Sequence, residues 1–237
     1  VNISELFARG GIAMWPLLLL SFLALSTIIE RAWFWSKILT HEREISGRVL
    51  EAARRDWGAA AEIARKSSNQ PIGRFLYSAL ELQNPDPEVF QLALQSSADE
   101  ELSAMRRGDK ILEATIALSP LLGLLGTVLG LISSLSNIRL GDIGTDATSG
   151  VTLGISEALI STATGLIVAI TALAFYRLFQ GFVSGQAKLF RQSGNDLELL
   201  YRKDWSTQKG DRYYPVDTPL SSSARGSAIT PPPVEEG

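Results

Sequence analysis

A single carboxylate, Glu157, lies inside an apolar segment of membrane length, in the run Gly154-Ile-Ser-Glu-Ala-Leu-Ile-Ser-Thr-Ala-Thr-Gly165, and residues 158 to 176 carry no charge. An ionised carboxylate in hydrocarbon costs a few kcal/mol on insertion scales, so such a group persists where it faces protein or a water-filled path. Ser156, Ser161, Thr162 and Thr164 surround it in sequence, and Thr127 stands in the preceding apolar segment. An acid with hydroxyls that both donate and accept can pass or hold a proton. The same residues fit simpler roles. Glu157 suits the positive end of a helix dipole, and each threonine can bond back to a carbonyl of its own helix.

Other chemistries fare poorly. The stretch Gly154-Ile-Ser156-Glu-Ala158 lacks the final glycine of a nucleophile elbow, and no span contains a His or Lys base. Gly123 to Gly130 lacks the Lys-Ser/Thr of a phosphate loop and lies in an apolar segment. The chain has no cysteine and one histidine, His41, which excludes thiol chemistry and His-rich metal centres. His41, beside Glu42 and Arg43, reads as a solvated residue. With a net charge of −3, no basic surface points to nucleic acid. The expectation is a protein without enzymatic activity, metal or organic cofactor.

The elements that must position Glu157 and the threonines are three apolar blocks. Hydrophobic residues make up 46% of the 237, gathered rather than spread, and mean hydropathy is +0.13. The first span is assigned to 12–34, the second to 111–135 and the third to 154–178. About 20 residues cross the hydrocarbon core, and backbone groups in lipid must be satisfied internally, so all three are expected to be helices. The first block reads as a retained span rather than a cleaved leader, because it lacks a small-residue cleavage site and ends in Trp33-Phe34-Trp35. Arg31 lies near the end of the first span and Lys37, Arg43, Arg48, Arg54 and Arg55 come after it, Arg106, Arg107 and Lys110 precede the second span, and Arg177 lies at the end of the third with Lys188, Arg191, Arg202 and Lys203 beyond it. The positive-inside rule then places the N-terminus outside, residues 35–110 and the C-terminus in the cytoplasm, and the short loop 136–153 outside.

Between the spans, Ala-rich segments predict helices, with breaks at Ser67-Ser-Asn-Gln-Pro71 and Asn84-Pro-Asp-Pro87. Asp86-Pro87-Glu88 predicts a capped helix start. From there no strong stop appears before Asn137 except Pro120, which predicts one long helix entering the membrane, kinked near Pro120. The third span is expected to continue as a helical extension over 179–204, weakened by Gly181, Gly185 and Gly194, ahead of a disordered tail at 205–237. The fold class is therefore an all-α membrane protein of three transmembrane helices with long helices extending into the cytoplasm.

On the second span Ser119, Gly123, Gly126, Thr127, Gly130, Ser133 and Ser134 recur at three- and four-residue steps, and on the third Ala158, Thr162, Gly165, Ala169 and Ala172 do the same. Small residues at these steps let helix backbones approach, and most of them serve packing. Ser161 and Thr164 are assigned to packing as well. Counted from the span ends at 1.5 Å per residue, Thr162 lies roughly 8 Å deep and Thr127 roughly 9 Å, which predicts two hydroxyls at one level below Glu157.

Three stretches resemble the MotA/TolQ/ExbB proton channel family, and more closely its three-span ExbB/TolQ branch. They are Gly11-Ile-Ala-Met-Trp-Pro-Leu-Leu-Leu-Leu-Ser with Ile29-Glu-Arg31; Ser119-Pro-Leu-Leu-Gly-Leu-Leu-Gly-Thr-Val-Leu-Gly130; and Gly154-Ile-Ser-Glu-Ala-Leu-Ile-Ser-Thr-Ala-Thr-Gly-Leu166. The resemblance covers about residues 5 to 200. It implies a homopentamer in the bacterial inner membrane around a dimer of a single-span ExbD/TolR-like partner, passing motion to a TonB- or TolA-like protein. The outer side is then the periplasm, which takes the stub at 1–11 and the loop at 136–153. The resemblance places the family's pore threonines on Thr127 and Thr162, its third-span glutamate on Glu157 and its second-span proline on Pro120, with protons as the coupling ion. Uptake powered through a TonB-like protein, envelope maintenance through a TolA-like one, and a non-conducting membrane scaffold all stay open. Ser156 stands where many relatives carry alanine, and the Pro-rich end from Pro231 is unlike a family element.

Overall fold

The chain's apolar blocks and its breaks together yield seven helices among the described residues, α1 Met14–Ile38, α2 Glu42–Ala53, α3 Trp57–Lys66, α4 Pro71–Leu80, α5 Pro87–Met105, α6 Asp109–Ser136 and α7 Thr145–Tyr213, and no strand. The computed structural model describes residues 12–39, 41–136 and 145–213, without side-chain placement at 145–154, 157 and 208–213. The stub at 1–11, the loop residues 137–144 and the tail beyond 213 lie outside the described residues. α1, α6 and α7 each contain a stretch long and apolar enough to cross a membrane.

Local chemistry accounts for the short helices. Asp56 caps α3 by accepting from the Gly58 amide at 2.9 Å, and Pro71 and Pro87 open α4 and α5 with a preset φ at the first helical position. Asp86 occupies the cap position of α5 but its side chain makes no capping bond, so the start there depends on Pro87.

The helix expected from Pro87 to Asn137 is two helices. α5 ends at Met105, and Gly108 takes a φ of +90 before α6 begins. Only glycine holds that backbone cheaply, and a Cβ there would stand 2.7 Å from Cγ2 of Thr27 on α1. Arg106-Arg107-Gly108 is a helix-stop signal set in a run of otherwise helix-favouring residues. α6 itself runs unbroken through Pro120, because a proline removes one hydrogen bond of the ladder and α7 packs on both adjoining turns.

The third span and its extension are one helix of 69 residues. It begins at Thr145, inside the stretch assigned to the loop, and runs to Tyr213, past the expected tail boundary at 205. Gly181 and Gly185 do not interrupt it, and Gly194 sits against the ring of Phe75. Tertiary packing overrides the weak glycine propensity. The distal half of α7 is the post on which the small helices assemble: Phe75 stacks on Phe190 at 4.8 Å and Phe90 on Tyr201 at 4.2 Å. Tyr201 donates its hydroxyl to the Pro85 carbonyl at 2.6 Å, and the Trp57 indole donates to Asp204 at 3.2 Å. Each ring pair adds about 0.5–1.5 kcal/mol beyond the area it buries.

α1 is held at its lower end by Arg31, whose buried guanidinium donates to the Met105 carbonyl at 3.4 Å, pairs with Glu30 at 2.8 Å and lies over Phe34 at 4.8 Å. Along the apolar stretches the large side chains Phe22, Leu121, Leu124, Ile167 and Ile170 point outward while Gly, Ala and Ser point inward. That inside-out pattern suits lipid, where association relies on close backbone approach.

Candidate functional site

The pairing of α6 with α7 is built from the small-residue stripes. Ser119, Gly123, Gly126, Gly130 and Ser134 are buried on α6, and Ala158, Ser161, Gly165, Ala169 and Ala172 on α7. A Cβ on Gly123 would lie 3.0 Å from the Thr162 Cα and 3.1 Å from the Ser161 carbonyl oxygen. One on Gly165 would meet the Ser119 carbonyl and stand 3.2 Å from the Gly123 Cα, and one on Gly126 would overlap the Ser161 hydroxyl. These glycines are therefore required by proximity rather than by conformation. α1 joins the same seam, with the Ala13 Cβ 3.1 Å from the Gly126 position.

The two threonines are treated differently. Thr162, half-buried, donates its hydroxyl across the seam to the Gly123 carbonyl at 3.0 Å. Thr127 donates back to Leu124 of its own helix at 2.6 Å and stays partly open to the surroundings. Contacts between Ser119 and Gly165, Gly123 and Thr162, and Gly126 and Ser161 fix an antiparallel register. In that register Thr127 comes level with Ala158, four residues or about 6 Å along the axis from Thr162. The expected common level is thus off by roughly one turn. Depths counted from apolar boundaries assumed that α7 starts near Glu157, whereas the helix starts at Thr145.

Glu157 belongs to α7, one residue before the level of Thr127, and its side chain lies outside the described positions. Thr164 donates to Ile160 of its own helix at 2.8 Å and has no part in the seam's cross-bonds. Ser161 is fully buried against Gly126, and its hydroxyl has no hydrogen-bond partner; the Ser119 hydroxyl is in the same position. The sequence offered only a weak pointer to them, since serine serves packing and polar roles equally well. Among the described residues no group of three His, Asp or Glu side chains stands close enough to hold a metal ion.

The arrangement can hold a carboxyl group brought to it. Both threonine hydroxyls spend their proton on a backbone carbonyl, so what they offer outward is an acceptor lone pair, matched to a protonated acid. To receive the ionised form a hydroxyl must rotate away from its carbonyl, giving up a bond worth about 1 kcal/mol net.

Residues 67–192, from the turn before α4 to the middle of α7, match the MotA/TolQ/ExbB proton channel family. The chain belongs to the MotA/TolQ/ExbB proton channel family. The matched region holds α6 and the part of α7 that packs on it, and with them Thr127, Glu157 and Thr162. Within the family, the chain is 50% identical over 200 residues to a biopolymer transport protein, ExbB-like 1, of Synechocystis, covering 84% of this chain and 79% of that one. It is 41% identical to ExbB-like 3 of the same organism, over 82% of this chain and 92% of the relative. It is 30% identical to the biopolymer transport protein ExbB of Salmonella typhimurium, over 82% of this chain and 84% of the relative. With three apolar helices of spanning length, it is a multi-pass membrane protein of the ExbB-like kind.

Proposed function

We propose that this chain is the proton-channel subunit of an inner-membrane energy-transducing complex, coupling proton flow to TonB-dependent transport across an outer membrane. The observation that carries the reading is the pair of threonine hydroxyls on α6 and α7. Each gives its proton to a carbonyl and presents an acceptor, one turn apart, along a seam otherwise made of glycine, alanine and serine. A single-span ExbD/TolR-like partner with a membrane carboxyl group would dock its neutral form on Thr127 and Thr162. On ionisation the hydroxyls must turn, and the partner's binding changes. Copies of this chain, five by the family's pattern, surround that partner, and protons are the coupling ion. Glu157, near the level of Thr127, serves the outer entrance of the path.

The Lys and Arg distribution supports an N-terminus in the periplasm and a C-terminus in the cytoplasm, which puts α2 to α5 and the distal half of α7 in the cytoplasm. A TolA-like protein in place of the TonB-like one is the alternative within the same chemistry. The reading involves no enzymatic step.

The test is proton flux and energy coupling in Thr127→Ala and Thr162→Ala, with assembly checked in each. Loss of both readouts with intact assembly is expected. Full coupling in both variants rejects the channel reading and leaves a scaffold whose stripes serve packing alone. For Glu157→Gln the channel reading expects reduced proton-dependent work with intact assembly, while a scaffold tolerates the amide.

A further inference from the structure

Glu42, the first residue of α2, is 2% exposed. Both its carboxylate oxygens are shut off from solvent without a hydrogen-bond partner, and so is Oε1 of Gln186 on α7. The amide of Ile72, near the N-terminus of α4, and the Gln186 side chain are the polar groups beside it, and neither completes a bond of good geometry to it. The junction of α2, α4 and α7 therefore holds a surplus of acceptors. These oxygens expose no surface to a metal ion or small molecule, although their residues border a groove. A proton can reach them, and a neutral Glu42 could donate to Gln186 Oε1 while accepting from the Ile72 amide, which resolves the shortage with one atom.

We propose that Glu42 is a proton-binding site whose protonation clamps α2 and the start of α4 onto α7, and whose ionisation loosens that junction to admit water. The charged groups acting on it are Glu101 of α5, which opposes ionisation, and Arg74 of α4, which favours it. They pair with each other at 2.6 Å, so their effects on Glu42 largely cancel. α3 adds no charge to its surroundings among the described residues. From α7 the facing group is the neutral Gln186; Gln186 and Glu42 themselves line a groove that also takes in Lys188 of α7, Arg43 and Glu44 of α2 and the apolar Leu39 after α1. Burial is the dominant influence and pushes the carboxyl from 4.5 up to about 7. The next contacts along the same interface are the Ser46–Ser193 hydrogen bond at 2.5 Å and buried Val49 and Leu197, so the hinge sits at the Glu42 end. The site concerns this junction and stands whether or not the seam conducts; the reading given above supplies only the compartment whose pH it senses.

The chain has no cysteine, so spin labels can be placed at Arg48→Cys on α2 and Arg191→Cys on α7 in the full-length protein in bilayers. Infrared titration of the same protein is expected to show a protonated carboxyl band with a midpoint near 7 that is missing in Glu42→Gln. The label distance distribution should be narrow at about pH 6 and broaden by about pH 8, and stay narrow at both in Glu42→Gln, whose amide reproduces the neutral acid. Absence of a wild-type band assignable to Glu42, or the same broadening in Glu42→Gln, overturns the proposal. Where that variant fails to fold, the absence of any wild-type protonated-carboxyl band with a midpoint near 7, or a wild-type label distance unchanged between about pH 6 and pH 8, still overturns the proposal.

Discussion

Thr162 and Gly123 are joined across two helices by a 3.0 Å hydrogen bond from hydroxyl to backbone carbonyl. The bond exists because Gly123 has no side chain; a Cβ there would stand 3.0 Å from the Thr162 Cα. Packing and chemistry thus share one pair. Thr162→Val is expected to destabilise the α6–α7 pair by about 1 kcal/mol, in line with other interhelical hydrogen bonds in membranes. Thr162→Ser should restore stability. Thermal unfolding in detergent checks both, and equal stability in Val and Ser variants would refute a structural share for the hydroxyl.

Gly126 faces the Ser161 hydroxyl so closely that a methyl group cannot enter. Gly126→Ala is expected to cost about 1–3 kcal/mol by overpacking. Adding Ser161→Gly should recover most of it, since the displaced atom is the serine's own. A double-mutant cycle measures the recovery; additive losses would mean the register is different from the one described.

Gly108 combines a φ of +90 with a Thr27 methyl 2.7 Å from where a Cβ would be. Gly108→Ala is expected to cost at least about 1–2 kcal/mol from backbone strain, with the clash added. Thr27→Ser removes the methyl and should relieve the clash but not the strain. A Gly108→Ala variant as stable as wild type would show that α5 and α6 can join as one helix.

Glu42 also predicts a sign for stability against pH. Its carboxyl titrates near 4.5 when unfolded and about 7 when folded, burial being the main cause. Between those values the folded chain holds the extra proton, so stability is greatest below 4.5 and falls as pH rises to about 7, flattening above. The full effect is on the order of 3 kcal/mol. Melting curves across that window should slope for wild type and lie flatter for Glu42→Gln. A wild-type slope no more downward than that of Glu42→Gln over the same window contradicts the assignment.

Arg74 grips Glu101 with two bonds, one of 2.6 Å from its terminal nitrogen, and the pairing holds the guanidinium above its ordinary range. Glu101 is mostly buried. Arg74→Met should therefore destabilise the α4–α5 pair by about 1–2 kcal/mol, less than for a fully buried pair because the Arg74 side chain is 44% exposed. Arg74→Met with Glu101→Met together should cost much less, as chemical unfolding of the two variants would show.

The spans were legible because lipid leaves few options: Ala114 to Ile138 and the stretch after Glu157 contain no charge. The stripes were legible too, since Gly123, Gly126 and Gly165 recur at helical steps with no use on a lipid face. The break at Gly108 was harder, because its need for glycine comes partly from Thr27, 81 positions away in sequence. The level of Thr127 depended on where α7 begins, and Thr145 lies in a polar stretch that no apolar pattern marks. Glu42 was hidden in a charged run with Arg43 and Glu44. Its spacing to Ser46, Val49 and Ala53, all on the buried face of α2, was the available sign.

α7 spans 69 residues without a break, a rod of about 100 Å at 1.5 Å per residue, while the hydrocarbon layer it crosses is about 30 Å thick. Most of its length therefore acts as a lever arm beyond the bilayer. From Thr162 to Tyr213 the arm is about 77 Å, so a tilt of about 2° at the seam would sweep its far end through roughly 3 Å. The stacked rings of Phe75 and Phe90 ride on that end, so the helical cluster registers, amplified, movements too small to open the seam itself.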